Sequence, residues 1–96
     1  MISTAVVLLN YNGLKLLKKF LPVAIKNSKN ASIFIIDNGS TDDSVLWTKA
    51  TYPNVECIVL DSNKGYAGGY NEGLKNIKAE IYALVNTDIC LLYTSD

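Results

Sequence analysis

The chain has 96 residues, 49% hydrophobic and 19% charged, with nine basic and nine acidic side chains and no histidine. That length supports one small domain with a modest core. Zero net charge leaves no basic surplus for nucleic-acid binding through phosphate neutralisation, and the missing histidine excludes Ser-His-Asp catalysis, Cys-His catalysis and histidine-ligated metal within these residues.

Cys57 and Cys90 are too far apart to form a CxxC motif and read as inert thiols. Their isolation points to a reducing compartment, hence to a cytoplasmic protein. The apolar stretch from Ala5 to Leu9 has no basic leader and no small-residue cleavage site, so no signal peptide is expected. No apolar run approaches the ~20 residues that span a bilayer.

In chain order, the first strand is expected at Thr4–Leu9 (TAVVLL). A helix follows from about Gly13 to Ser28, with Leu14, Leu17, Leu21 and Ala24 at spacings of three and four and lysines on the other faces. Pro22 lies inside it and predicts a kink, because the Lys18 carbonyl loses its amide partner. The second strand is Ser32–Ile36 (SIFII). The next helix spans about Thr41 to Thr51, with Ser40 as N-cap and Asp43 completing a capping box. A third strand, Val55–Leu60 (VECIVL), precedes a helix from about Gly69 to Lys78. Ile81–Val85 (IYALV) forms the fourth strand.

Continuous apolar strands with little polar alternation belong in a sheet covered on both faces. Strands separated by helices imply parallel crossovers. The expected fold is therefore α/β: a three-layer α/β/α, Rossmann-like arrangement with a mostly parallel sheet.

All strand carboxyl ends of such a sheet share one edge, where ligands bind. Past the four strands come Asn10-Tyr11-Asn12-Gly13, Asp37-Asn38-Gly39-Ser40, Asp61-Ser62-Asn63-Lys64-Gly65 and Asn86-Thr87-Asp88. Turn chemistry alone explains any single Asn-Gly pair. The opposite edge serves as a control: Asn27–Asn30, Tyr52–Asn54 and Lys78–Glu80 contain neither Gly nor Asp. The asymmetry favours a binding rim. Asp37, at the end of an apolar run, can accept bonds from ribose hydroxyls or a base N–H; otherwise it only stabilises the turn that follows.

The stretch from Asn63 to Gly73 is rich in glycine. Glycines at a helix start allow close backbone approach, and free amides there favour anions. Gly73 is better explained by tight helix–sheet packing. Lys64 either offsets phosphate charge or is simply solvated. Asp88, at a strand end, suits an oxygen-ligated divalent cation.

The segments VVLLNYNG, IIDNGSTDDS, NKGYAGGYNEGL and YALVNTD, in this order, resemble the family 2 glycosyltransferases of the GT-A fold, with the flavour of rhamnosyltransferase-like and cell-wall glycan members. The resemblance runs from about Val6 to Asp88. It implies that Leu9, Asn10 and Tyr11 line the nucleobase pocket and that Asp37 holds base or ribose. Asn38 and Gly39 would shape the adjoining loop, with Ser40 and Asp42 starting the helix. Lys64, Gly65 and Asn71 would lie along the nucleotide. Asn86-Thr87-Asp88 matches the family's D-x-D motif, with Asn86 at its first acidic position and Asp88 as the ligand for Mg²⁺ or Mn²⁺.

The resemblance further implies transfer of a sugar, with inversion, from a UDP-, dTDP- or GDP-sugar to an acceptor hydroxyl. The acceptor would be a glycan or a lipid-linked glycan, met in the full-length protein at the cytoplasmic face of a membrane. No catalytic base is assigned. Residues 1–96 are expected to form a truncated donor-binding domain that lacks the acceptor half, binds nucleotide weakly, transfers no sugar and self-associates through its exposed sheet edge. Rival readings fit less well. A dehydrogenase half needs GxGxxG after the first strand, a nucleotidyltransferase needs a glycine-rich basic loop there, and a phospho-receiver needs an acidic pair. A non-catalytic nucleotide-binding or scaffold fragment is the standing alternative.

Overall fold

Burial on both sides of the first strand sets the architecture. In the computed structural model, which describes residues 4–27, 31–79, 81–85 and 90–94, strand β1 (Thr4–Asn10) buries six consecutive residues from Ala5 onward. Ala5, Val7 and Leu9 enter one core with Ile36, Tyr70 and Ile77. Val6 and Leu8 enter the other with Leu17, Leu21, Ile33, Ile35 and Val55. Period-two alternation of side chains divides them in this way. Each large aliphatic side chain fully removed from water, such as Leu21 or Ile35, contributes about 1.5–3 kcal/mol.

The remaining elements follow as α1 (Leu14–Asn27), β2 (Ser32–Asp37), α2 (Ser44–Thr51), β3 (Glu56–Val59), α3 (Gly65–Leu74), β4 (Ile81–Val85) and β5 (Cys90–Thr94). The sheet order is β3-β2-β1-β4-β5. The first four strands in this order are mutually parallel, and β5 runs antiparallel to β4. The expected α/β fold with a mostly parallel sheet is observed. Helices α1 and α2 cover one face through Leu17, Leu21 and Trp47, and α3 covers the other through Tyr70 and Leu74. The chain thus winds outward from β1 to β3, then crosses beneath the sheet to β4 on the far side of β1.

Three expectations are corrected. Helix α2 starts at Ser44, not Thr41, and the Asp43 position precedes it without a side-chain cap. Ser40 is not its N-cap, because the Ser40 hydroxyl is committed to Asp37. Helix α3 starts at Gly65, four residues earlier than expected, and its Gly69 and Gly73 pack closely rather than loop. At Gly73 an added Cβ would lie 2.3 Å from Ile36 Cδ1, so the helix rests with its backbone on the sheet as the sequence suggested. Finally, β5 occupies a stretch for which no strand was expected. Helix α1 continues across Pro22, which lies on its exposed side where water can serve the orphaned carbonyl.

Candidate functional site

Asn10 and Asp37 end adjacent parallel strands and stand at the same register. Both are 1% exposed. Such burial of polar side chains requires internal partners. Asn10 Nδ2 donates to Asp37 Oδ1 at 2.8 Å and to Ser40 Oγ at 3.3 Å. The Ser40 hydroxyl donates to Asp37 Oδ1 at 2.7 Å, and the Ser40 amide to Oδ2 at 2.9 Å. Oδ1 is saturated by two donors, while Oδ2 keeps one lone pair. Asp37 therefore holds its own turn, the plainer of its two sequence readings, with one acceptor position to spare.

The loops after β1 and β2 are clasped from both sides. Asn12 has a left-handed backbone, φ 49°, a conformation that asparagine tolerates better than most residues. Its Oδ1 accepts the amides of Thr41 at 2.7 Å and Asp42 at 3.2 Å. In return, Ser40 Oγ accepts the Asn12 amide at 2.8 Å. Asp42 serves two helices at once. Its Oδ2 accepts the Leu14 amide at the start of α1, at 3.2 Å. Its Oδ1 accepts the Ser44 amide at 3.0 Å and the Ser44 hydroxyl at the start of α2. The resemblance gave Asp42 one helix to start, and it starts two.

Slight burial pushes the Asp42 carboxyl up, but the Ser44 hydroxyl and the Ser44 and Leu14 amides outweigh it and hold it below its ordinary value. A depressed folded-state pKa means that the stabilisation is complete above the unfolded value of about 3.9 and is lost as pH falls through the folded one. Asp42→Ala is expected to cost about 1–2 kcal/mol at neutral pH, the loss of a helix cap. Urea melts should show that gap shrinking as the pH falls from neutral to strongly acid, below the ordinary carboxylate range. An equal gap at both pH values would reject the double-cap role.

A third loop closes the rim. Asn38, 3% exposed, accepts the Lys64 amide on Oδ1 at 2.9 Å and donates from Nδ2 to the Gly65 carbonyl at 2.9 Å. This pairing fastens the β2–α2 loop to the start of α3. Asn63 Oδ1 accepts the Gly65 amide at 2.8 Å. Gly69 lies against the same anchor, since its Cβ would fall 2.8 Å from Asn38 Nδ2 and 2.9 Å from Leu9 Cδ1. Lys64 pairs with the exposed Asp61 at 2.9 Å. Their hydrogen bond raises the lysine and lowers the aspartate from their ordinary values.

The rim thus brings together Leu9, Asn10, Tyr11, Asp37, Asn38, Lys64 and Gly65. Leu9 is buried beneath it, and Tyr11 stands half-exposed at 49%. Asn71 lies on an exposed part of α3. Asn86, Thr87 and Asp88 lie outside the described residues. Among the described residues, no group of three or more Cys, Asp or Glu is placed to hold a metal ion. A cavity of about 660 Å³ opens at the opposite strand edge, between Ile25, Phe34, Tyr52 and Glu56. It contains none of the cross-loop polar network, so the carboxyl rim is the stronger candidate. Burial pushes up the Cys57 thiol, with Lys49 opposing, which fits an unreactive side chain.

The family model for glycosyl transferase family 2 matches residues 5–93. The chain belongs to glycosyl transferase family 2. No curated protein sequence matches it. Among solved structures, it is similar to the mannosyltransferase PcManGT from Pyrobaculum calidifontis in complex with GDP-Man and Mn²⁺. That match has a TM-score of 0.78 at 20% identity and covers 91% of this chain and 28% of that one. It is also similar to S. aureus TarS 1-349, with a TM-score of 0.77 at 22% identity, covering 91% and 28%. The same TarS segment in complex with UDP-GlcNAc gives 0.74 at 22% identity, covering 91% and 27%. The chain therefore spans little more than a quarter of these glycosyltransferases, and at such identities the likeness is one of fold.

Proposed function

We propose that the carboxyl rim binds the nucleoside diphosphate of a sugar donor, as the donor-side part of an inverting glycosyltransferase. The observation that carries this reading is the fastening of three loops, after β1, β2 and β3, into one polar network at the strand ends of a family 2 chain. Tyr11 offers an exposed ring beside it for the base. In this reading the spare lone pair on Asp37 Oδ2 accepts a base N–H or a ribose hydroxyl once the rim opens to the ligand. Helix α3 opens at Gly65, where a Cβ would meet nothing within 4 Å, which leaves open space beside the helix start for a phosphate, although the Lys64 and Gly65 amides are already held by Asn38 and Asn63. Lys64 stands at that end, paired with Asp61, and would have to exchange that partner to meet a phosphate.

The known neighbours support the ligand class: one was solved with GDP-Man and Mn²⁺, another with UDP-GlcNAc. We assign Asp88 as the ligand of Mg²⁺ or Mn²⁺, flanked by Asn86 and Thr87. A cation held there would neutralise the departing diphosphate. In the complete enzyme, an acceptor hydroxyl of a glycan or lipid-linked glycan would displace the nucleoside diphosphate from the opposite face of the anomeric carbon, in cell-surface polysaccharide or glycan synthesis at a cytoplasmic membrane face. The general base for that step is not among the residues assigned.

Calorimetric titration with UDP, dTDP and GDP, each with and without Mn²⁺, tests the reading. Saturable binding of one nucleotide is expected, tightened by Mn²⁺ in the parent and not in Asp88→Ala. Absence of binding for all three would favour the scaffold alternative.

A further inference from the structure

Helix α1 carries two adjacent exposed rows of opposite character. Leu16, Phe20 and Val23 form one, at spacings of four and three, and remain 39%, 38% and 54% exposed. Lys15, Lys19 and Lys26 form the other and are also exposed. At about 100° per residue the two rows lie side by side, the lysines opposite Leu17 and Leu21 and the apolar row on the flank between them and that stripe. On the opposite flank, Ile25 packs against the core that includes Leu17, Leu21 and Val55.

Charge distribution sharpens the picture. Helix α1 holds four of the nine basic residues, Lys15, Lys18, Lys19 and Lys26, and none of the nine acidic ones. None of these lysines forms an ion pair among the described residues. A neutral chain has thus gathered nearly half its cations on one helix and set three of them beside large apolar side chains that are exposed among the described residues. Lone surface leucines are ordinary, but a contiguous leucine–phenylalanine–valine row is not.

We infer that the outer face of α1 is a docking surface for an anionic lipid bilayer. The chemistry matches at two depths. The ammonium groups meet acidic headgroups, and Phe20, Leu16 and Val23 enter the layer just beneath them, as in helices that lie in the interface plane. A nucleic acid would match the lysines and leave the apolar row unsatisfied. A second copy of this chain would match the apolar row and set lysines against lysines. Docking along α1 brings its first turn to the membrane, and Asp42 ties that turn to the nucleotide rim. The inference does not depend on what the rim binds.

Co-sedimentation of the 96-residue chain with vesicles of pure phosphatidylcholine, or of phosphatidylcholine with phosphatidylglycerol, tests it. Partitioning onto the anionic vesicles should exceed that onto neutral ones by about tenfold or more and collapse in high salt. Lys15→Glu with Lys19→Glu should reduce it by a similar factor, and Phe20→Ser by several-fold. All three positions are exposed, and far-UV circular dichroism confirms the helix in each variant. Equal partitioning on both vesicle types overturns the inference. So does indifference to salt in the unsubstituted chain, which requires no variant. Insensitivity to Phe20→Ser overturns the apolar contact, and a dimer that Phe20→Ser dissociates, without vesicle binding, assigns the face to a second copy instead.

Discussion

Asp37→Ala is expected to lower stability by about 3 kcal/mol, a large share of the margin of a domain this small. The carboxylate is 1% exposed and accepts three hydrogen bonds. Its removal leaves the Ser40 amide without that acceptor and Asn10 Nδ2 with only the longer contact to Ser40. Each buried polar group deprived of its partner costs about 1–3 kcal/mol, and replacement by a methyl group also leaves a void. Asp37→Asn separates shape from charge. Its carbonyl oxygen can still accept from Asn10 and the Ser40 hydroxyl, but its amide then points at the Ser40 amide, donor against donor. That variant should lose about half as much stability. Urea midpoints at constant m-value would measure both. If alanine and asparagine cost the same few tenths of a kcal/mol, the carboxylate does not hold the turn. If Asp37→Asn stays folded and loses nucleotide affinity, the remaining lone pair belongs to the ligand.

The strands were legible because their apolar runs report burial on both faces, and a run such as Val6–Leu9 has no other place to go. The polar rim was legible for the same reason in reverse: Asn10 and Asp37 interrupt apolar runs at matching positions. Partners were not legible. Asn12, Ser40 and Asp42 contact residues 28 to 30 positions away, and no local pattern encodes which side chain reaches across. Ser40 read as a cap because Ser followed by an acid three residues on favours that role. The nearby carboxylate of Asp37 won the hydroxyl instead. The start of α3 was hidden by helix propensity, since Gly65, Gly68 and Gly69 each disfavour a helix taken alone. Close packing of Gly69 on Leu9 and of Gly73 on Ile36 overrides that preference, which a sequence shows only as an excess of glycine. The exposed row on α1 was missed, because the other faces of that helix were read as lysine faces. Leu16, Phe20 and Val23 fall outside the stripe through Leu17 and Leu21, and an apolar residue on the wrong flank is the signal of a second contact.

Gly39→Ala should be at least as damaging as loss of the Asp37 carboxylate, and for a different physical reason. Gly39 has φ 78°, in the region that side chains avoid, and an added Cβ would sit 2.9 Å from both Cα and C of Ser62. The backbone conformation alone costs about 1–2 kcal/mol for a residue with a side chain. The contact adds about 1–3 kcal/mol, because it meets main chain rather than a flexible side chain that could turn aside. Relief requires the β2–α2 loop to part from the β3–α3 loop at the place where Asn38 binds the Lys64 amide and the Gly65 carbonyl. A total of about 3 kcal/mol is therefore expected, and the defect should spread to ligand binding through those two bonds. Asn38→Ala supplies the comparison: it breaks the same fastening without moving the backbone of Gly39. If the two loops act as one unit, Gly39→Ala and Asn38→Ala together cost less than the sum of the single changes. Full additivity in urea melts, with unaltered nucleotide affinity in both single variants, would mean that the loops are merely neighbours and that the rim is not a jointly built site.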